Sequence, residues 1–333
     1  MPEKHRTLLI IALIVCLVCA CGCIQGPPSS NPATTDTEVK TVPHLGKYGI
    51  YSLDLASSIV DLIYSTDDEV YTSALRLNYR GDRLVFAQMV DGNASEDSEI
   101  FTIGTDGTGL RRLTDNDHWD LYPAWSAGDT KVAFLSMRGK DLDIYTMDPD
   151  GSGQALIFDS GSHDADIDSR GDVIVFTSGS AIWKINGDGK GLARVTSPPD
   201  AGRWGRANLP AGDYDPRLDP SGTKVAFERL VDTASVHGGY DLFTVNTDGS
   251  GEHRLTNTGY SQGLASWSHA GDKIVYVVAA INGEGKYDAY MVNADGTGNH
   301  SITPAYFPPG FLVYSPVFSG DDSKIYFIGR WWE

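Results

Sequence analysis

The sequence predicts an all-β fold, a six-bladed β-propeller of four-stranded blades, and three observations carry that reading. An apolar run ending in an aromatic recurs six times: Leu84-Val-Phe86, Val132-Ala-Phe134, Ile174-Val-Phe176, Val225-Ala-Phe227, Ile274-Val-Tyr276 and Ile325-Tyr-Phe327. The residues that precede these runs lie 42 to 51 positions apart, which suits a propeller blade of roughly 40 to 50 residues and not a helical repeat of roughly 33 or 34. An Asp-Gly pair recurs at 106–107, 150–151, 188–189, 248–249 and 295–296, the chemistry of a tight reversal between antiparallel strands. Finally, the last copy stops half-way, and the missing half stands at the other end of the propeller segment.

The stretch from Ala265 to Thr303 shows the unit complete. Ala265–Ser268 reads as a short strand a. The turn Ala270-Gly271-Asp272 leads into the β-branched strand b at Lys273–Val278. Asp288–Asn293 and His300–Thr303 read as strands c and d across Asp295-Gly296. Complete units begin near Leu75, Pro123, Ala165, Pro216 and Ala265, and a sixth, from Pro316, ends after its strand b. Ile50–Asp54 and Ile59–Tyr64 then supply strands c and d of that blade, so that N-terminal strands close the ring and leave no open sheet edge.

Several of these segments resemble the WD40-like repeats of the TolB-type β-propeller family. They include Tyr122-Pro-Ala-Trp-Ser, Leu218-Asp-Pro-Ser-Gly-Thr-Lys-Val-Ala-Phe227, Asp143-Ile-Tyr-Thr-Met-Asp-Pro-Asp-Gly-Ser-Gly153 and Thr105-Asp-Gly-Thr-Gly-Leu-Arg-Arg-Leu-Thr114. The resemblance runs from about Tyr48 to the C-terminus. It implies the six-bladed ring, and for function a binding or scaffolding role. The Pro-Asp-Gly usual in the a to b turn is mostly replaced, as in Ala127-Gly128-Asp129 and His269-Ala270-Gly271. No separate α/β domain is expected ahead of the propeller.

Residues 1–22 read as a lipoprotein-type signal peptide, with Lys4, His5 and Arg6 ahead of the apolar run Leu8–Ala20, which is short for a membrane span. Ala20-Cys21-Gly22-Cys23 resembles a lipoprotein processing box, with Cys23 as the lipid acceptor and Cys21 as the alternative. An uncleaved anchor helix would leave the domain on the same side of the membrane. All four cysteines (Cys16, Cys19, Cys21, Cys23) lie here, so the exported domain needs no disulfide. Residues 23–46 are rich in Pro, Ser and Thr and read as a flexible tether, and 47–333 form the propeller. The expected location is extracytoplasmic, anchored in the bilayer at the outer face of the cytoplasmic membrane or in the envelope.

The formal net charge of -18 disfavours nucleic acid as a partner, because phosphates are repelled. The a to b and c to d turns are short and share one face of the disc. The long connections share the other: residues 91–98, 197–214, 231–239, 281–286 and 304–312. Long loops on a rigid scaffold are where binding concentrates. Candidate ligand-binding residues on that face and at the channel mouth are His118, Trp119, Asp120, His163, Asp164, Asp166, Trp204, Asp215, Arg217, Tyr260 and Tyr314. The alternate carboxylates of Asp164-Ala-Asp-Ile-Asp168, with His163 and His118 nearby, make His118, His163, Asp164 and Asp166 the candidate ligands of a metal ion in the central channel. The same residues are also readable as an Asp and Arg network around a water-filled axis, which Arg76 would join. No other cofactor is expected. Gly259-Tyr-Ser-Gln-Gly263 matches a nucleophile-elbow pattern but lies between strands, without the helix that chemistry requires, and reads as a loop.

These features favour a lipid-anchored monomeric binding module, its partner an envelope protein or a glycan on the long-loop face. A metal-dependent, lyase-like enzyme acting on polysaccharide at the channel mouth is the alternative. The anchor is directly testable. Cys23→Ser is expected to release the protein from the membrane fraction or to leave it as an unprocessed precursor. Unchanged partition together with unchanged mature size would refute lipidation at that residue.

Overall fold

The computed structural model describes residues 40–90, 98–162, 165–207, 209–234, 238–279 and 287–332. They form six antiparallel four-stranded sheets arranged as the blades of a propeller. Blade 1 comprises Arg76–Leu77, Arg83–Met89, Ser98–Gly104 and Arg111–Arg112 as strands a to d. Blade 2 comprises Asp120–Ser126, Lys131–Ser136, Asp143–Met147 and Ala155–Phe158, and blade 3 Ala165–Arg170, Val173–Ser178, Ala181–Asn186 and Ala193–Arg194. Blade 4 is built from Asp213–Leu218, Lys224–Asp232, Gly239–Asn246 and His253–Arg254, and blade 5 from Ser261–Trp267, Lys273–Ala279, Tyr287–Asn293 and His300–Ser301. Blade 6 joins the two ends of the propeller: Phe311–Phe318 and Lys324–Trp331 are its strands a and b, Tyr48–Asp54 and Val60–Thr66 its strands c and d. The only helical turn among the described residues is Ala127–Asp129.

The recurrent aromatic of strand b explains the packing. In every blade it stands directly opposite an aromatic of strand c: Phe86 with Phe101, Phe134 with Tyr145, Phe176 with Trp183, Phe227 with Phe243, Tyr276 with Tyr290 and Phe327 with Tyr51. The strand b member is essentially inaccessible each time. Such opposed pairs are the unit of sheet stabilisation, each worth about 0.2–1 kcal/mol beyond alanine. Strand d is cut to two residues in blades 1, 3, 4 and 5, and a threonine just past it completes the ladder. The hydroxyls of Thr114, Thr196, Thr256 and Thr303 accept from the strand c amides of Ile100, Ile182, Leu242 and Ala289 at 2.8–2.9 Å.

Two kinds of turn fasten each blade to its neighbour. In the c to d turns the aspartate caps the chain; Asp106 accepts the Thr108 amide at 2.9 Å and its hydroxyl at 2.8 Å, and these bonds lower its pKa. The glycine that follows has positive φ, and its α-carbon sits against a carbonyl of the preceding blade. A β-carbon on Gly107 would lie 2.9 Å from the Ile63 carbonyl oxygen, and one on Gly249 3.0 Å from that of Val195. Glycine therefore serves both the turn and the blade contact. At two of the a to b turns a carboxylate reaches across to the adjacent turn. Asp129 accepts the amides of Tyr79 and Arg80 at 2.7 and 2.9 Å, and Asp322 those of His269 and Ala270 at 2.6 and 2.9 Å. In Ala127-Gly128-Asp129 the departure from Pro-Asp-Gly thus places an aspartate where it ties two blades together.

Closure follows the expected route. Tyr48–Asp54 pairs with Lys324–Trp331 over seven residues without a break in register. A strap ahead of it reinforces the seam: Val42 is buried, His44 stacks on Trp331 at 4.0 Å, and the Tyr51 hydroxyl donates to the Pro43 carbonyl at 3.1 Å. One set of expectations needs correcting. Tyr214, Phe311 and Tyr314 belong not to connecting loops but to strand a of blades 4 and 6, where they are buried. Strand a begins earlier than the prolines suggested. The signal peptide, Cys23 and the tether up to residue 39 lie outside the described residues.

Deleting Tyr48–Thr66 should leave blade 6 two-stranded and expose Ile325 and Phe327, each 1% accessible. The expected outcome is aggregation or loss of a single cooperative urea transition. Ile50→Ala, at a residue with no exposure, should cost about 2–5 kcal/mol, measured as a lower urea midpoint. A truncated chain that melts like the parent would refute this closure.

Candidate functional site

The six a strands surround the axis, and the chain enters each of them from the long-loop face. A β-bulge interrupts five of them at one level, between Leu121 and Ala124, Ala165 and Asp168, Tyr214 and Arg217, Gly263 and Ser266, and Tyr314 and Val317. At each bulge one non-glycine residue takes positive φ: Tyr122, Asp166, Asp215, Leu264 and Ser315, at 43° to 55°. Bulges re-aim side chains and break the inward-outward alternation of a strand. Here they collect polar groups from separate blades at one level of the ring.

Asp166 and Asp215 meet at that level. The Asp215 amide donates to an Asp166 carboxylate oxygen at 3.4 Å, and the Arg217 guanidinium donates to the Asp215 carboxylate and to the Ser73 carbonyl, the latter at 3.2 Å. Glu228, from strand b of blade 4, accepts the Leu264 amide at 2.5 Å and shares a hydrogen bond with Asp215. Two residues further along strand a, Arg76 and Arg217 occupy equivalent positions in their blades, and Asp168 lies 3.4 Å from Arg76 while accepting the Leu218 amide at 2.8 Å. Burial, and then the Asp215 charge, raises the Asp166 pKa to about 7. The same two causes, in the same order, push Glu228 well above the usual carboxylate range. Burial, followed by repulsion from Arg217, lowers Arg76 to about 10, so it stays charged at neutral pH.

Beyond these arginines the axis opens on the short-turn face into a cavity of about 120 Å³, walled by strand-a ends and a to b turns, including Arg76, Trp125, Asp168, Arg217, Trp267 and His269. The sequence offered no signal for this cavity beyond its strand a arginines, Arg76 and Arg217, which read as part of an axial network. Of the predicted residues, Asp166, Asp215 and Arg217 are brought together. Asp120 is fully buried elsewhere, accepting from Asn116 and Arg138 at 2.8 and 3.1 Å. Trp119 packs partly against Tyr71 at 6.2 Å, Tyr314 packs against Tyr287 at 4.8 Å, and His118 is exposed. Trp204 and Tyr260 are 58% and 46% exposed in the connections on either side of blade 4. His163 and Asp164 lie outside the described residues. Among the described residues no three His, Cys, Asp or Glu side chains are placed to hold a metal ion. Ser261 of the elbow-like motif begins a strand.

The carboxyl cluster has a consequence for pH dependence. An unfolded Asp titrates near ~3.9 and Asp166 near 7 in the fold, so the folded state binds the extra proton between these values. The resulting stabilisation is fully present below the unfolded pKa and is lost as pH rises through about 7. The melting temperature should therefore fall with rising pH in this window. Asp166→Asn should flatten that slope, and Glu228→Gln should flatten it further. Identical slopes in the parent and both variants would show that the cluster is not protonated.

No protein-family model matches the chain. Among curated proteins, 46 residues are 35% identical to a stretch of dipeptidyl-peptidase 5 from Porphyromonas gingivalis, a match spanning 14% of this chain and 7% of that protein. Among solved structures, a putative TolB from Agrobacterium tumefaciens superposes with a TM-score of 0.62 at 14% identity, over 86% of this chain and 99% of that one. TolB from Acinetobacter baumannii gives 0.55 at 18% identity, over 76% of this chain and 64% of that one. An oligogalacturonate lyase in complex with manganese gives 0.54 at 12%, over 86% and 83%. Likeness at these identities concerns architecture, and it shows that the chain shares the fold of the TolB-like six-bladed β-propellers.

Proposed function

We propose that the protein is an extracytoplasmic binding and protein-interaction scaffold of the cell envelope, tethered to the membrane by lipid on Cys23. The observation that carries this reading is the pair of large aromatics, Trp204 and Tyr260, held in water on the long-loop face of a ring whose opposite face is pinned turn to turn. Aromatic side chains present broad contact area at low entropic cost and dominate binding energy at interfaces. The ring gives them a rigid base, and the TolB-like architecture supports the scaffold role. The surplus of acidic over basic residues, 44 against 26, favours a protein or neutral glycan partner over nucleic acid. Lipid on Cys23 and the leader ahead of it would place the domain outside the cytoplasmic membrane as a monomer.

A second reading, a metal-dependent polysaccharide lyase, rests on the shared architecture with an oligogalacturonate lyase in complex with manganese. It needs His118, His163, Asp164 and Asp166 to act together, whereas Asp166 faces Asp215 and is tied into the arginine network. A stoichiometric transition metal in the purified chain, lost in an Asp166→Asn variant, would favour this reading over the scaffold.

The scaffold reading predicts that photo-crosslinking groups at positions 204 and 260 capture one and the same envelope component. Trp204→Ala should then weaken binding of that component by about thirtyfold, the value of roughly 2 kcal/mol, with the melting temperature unchanged. Equal capture from the a to b turns, or undiminished affinity in Trp204→Ala, would remove the long-loop face as the binding surface.

A further inference from the structure

The axial cavity on the short-turn face holds buried donors that nothing in the fold satisfies. Arg76 is 7% exposed; its Nη1 donates to the Leu75 carbonyl at 2.7 Å, while Nε and Nη2 have no hydrogen-bond partner. Asp168 stands 3.4 Å from Nε without hydrogen-bond alignment, and its other oxygen is taken by the Leu218 amide. Trp125, 8% exposed, likewise has an unpartnered Nε1–H, whereas Trp267 Nε1 donates to the Arg217 carbonyl at 3.1 Å. Both Arg76 and Trp125 line the cavity. Among the described residues that line it, every buried side-chain polar atom left without a partner is therefore a donor. Leaving such groups unpaired is unfavourable, and more so for a charged group.

We infer that this cavity is a binding site for a single carboxylate carried on an acyclic chain, held by Arg76 Nε and Nη2 and by Trp125 Nε1. The donor set selects the chemistry. Indole N–H and guanidinium can only donate, and a planar carboxylate matches the guanidinium fork with charge-assisted bonds. The volume selects the shape. About 120 Å³ is less than the ~150 Å³ of a cavity that encloses benzene, so a carboxymethyl or carboxyethyl group fits inside and a six-membered sugar ring cannot enter whole. Trp267 and Phe318 supply apolar wall for the methylenes, and Arg170 at the rim is fixed over the Tyr79 ring at 4.3 Å. The site is distinct from the long-loop face and does not depend on what binds there.

The chain has seven tryptophans, so an indole-labelled full-length sample in detergent gives few ¹⁵N signals, and the one missing in Trp125→Phe belongs to Trp125. Acetate at neutral pH and fixed ionic strength should move that signal to saturation, while chloride at the same ionic strength should not. Arg76→Met should weaken the acetate midpoint at least about tenfold and Trp125→Phe, followed by a neighbouring backbone amide, about fivefold. Arg76→Lys, which keeps charge and loses the fork, should fall between parent and Met. A second titration with N-acetylglutamate methylamide separates the sources: a lower midpoint than acetate identifies an acidic side chain, a higher one a free short-chain acid. A Trp125 signal that ignores acetate, responds to phosphate in its place, or responds equally in Arg76→Met overturns the assignment. If Arg76→Met does not fold, the Trp125→Phe midpoint decides: one equal to the parent's overturns it.

Discussion

The pairing of Tyr48–Asp54 with Lys324–Trp331 is the contact on which the rest of the ring depends. A four-stranded blade is twisted and apolar on both faces, so it can bury itself only between two neighbours. An open row of blades would leave the outer face of the last one, and the edge of its strand b, in water. Closing the row joins residues some 280 positions apart in the chain, as in the Trp331 indole that donates to the Tyr51 hydroxyl at 3.1 Å. The entropic cost of so long a loop grows only as its logarithm. Seven ladder positions and the strap of Val42 and His44 offset it, and a single seam can hold the whole disc.

Most of this was legible in the sequence because the determinants are local and repeated. The strand b aromatic, the Asp-Gly reversal and the half-blade at each end each follow from residue types at fixed offsets, and repetition multiplies a weak signal. What local reading missed was the partner of each motif across the blade boundary. Nothing in Asp106-Gly107 says that the glycine lies against the Ile63 carbonyl, nor in Ala127-Gly128-Asp129 that the carboxylate reaches Tyr79 and Arg80. Such contacts depend on the angle between blades, which the sequence encodes only through packing. The starts of strand a were misplaced for a related reason. Pro123, Pro216 and Pro316 were taken to open their strands, but each follows the bulged residue in mid-strand, a place where the missing N–H breaks no ladder bond.

The candidate site was legible as a list and not as an arrangement. Asp166, Asp215 and Arg217 stand out because a charge in strand a faces burial, which is expensive unless the charge is paired. Their grouping rests on the bulges, which put non-glycine residues at positive φ, and no residue type marks such a position as glycine would. Glu228 was missed because its strand otherwise reads as an apolar run, Val225-Ala-Phe227. Arg76 reads from the sequence as part of an axial network, but the cavity it shares with Trp125 is formed by residues from six blades at one level, a juxtaposition that no spacing along one blade reveals.

Charge decides how such a cavity can be filled. Five of the 26 basic residues are spent on buried acids: Arg229 on Asp213, Arg112 on Glu99, Arg138 on Asp120, Arg254 on Asp241 and Arg217 on Asp215. The surface left to solvent is therefore more acidic than the composition alone implies, and it repels anions over about 10 Å at ordinary ionic strength. The donors of Arg76 and Trp125 sit behind that field and are largely buried from water, where a charge-assisted bond is stronger than in water. A free anion meets the repulsion without compensation. A carboxylate delivered on a molecule that already touches the disc arrives at high effective concentration, because its approach is no longer bimolecular. The electrostatics of the whole chain thus favour an acidic group carried on a molecule that itself touches the short-turn face over a dissolved anion.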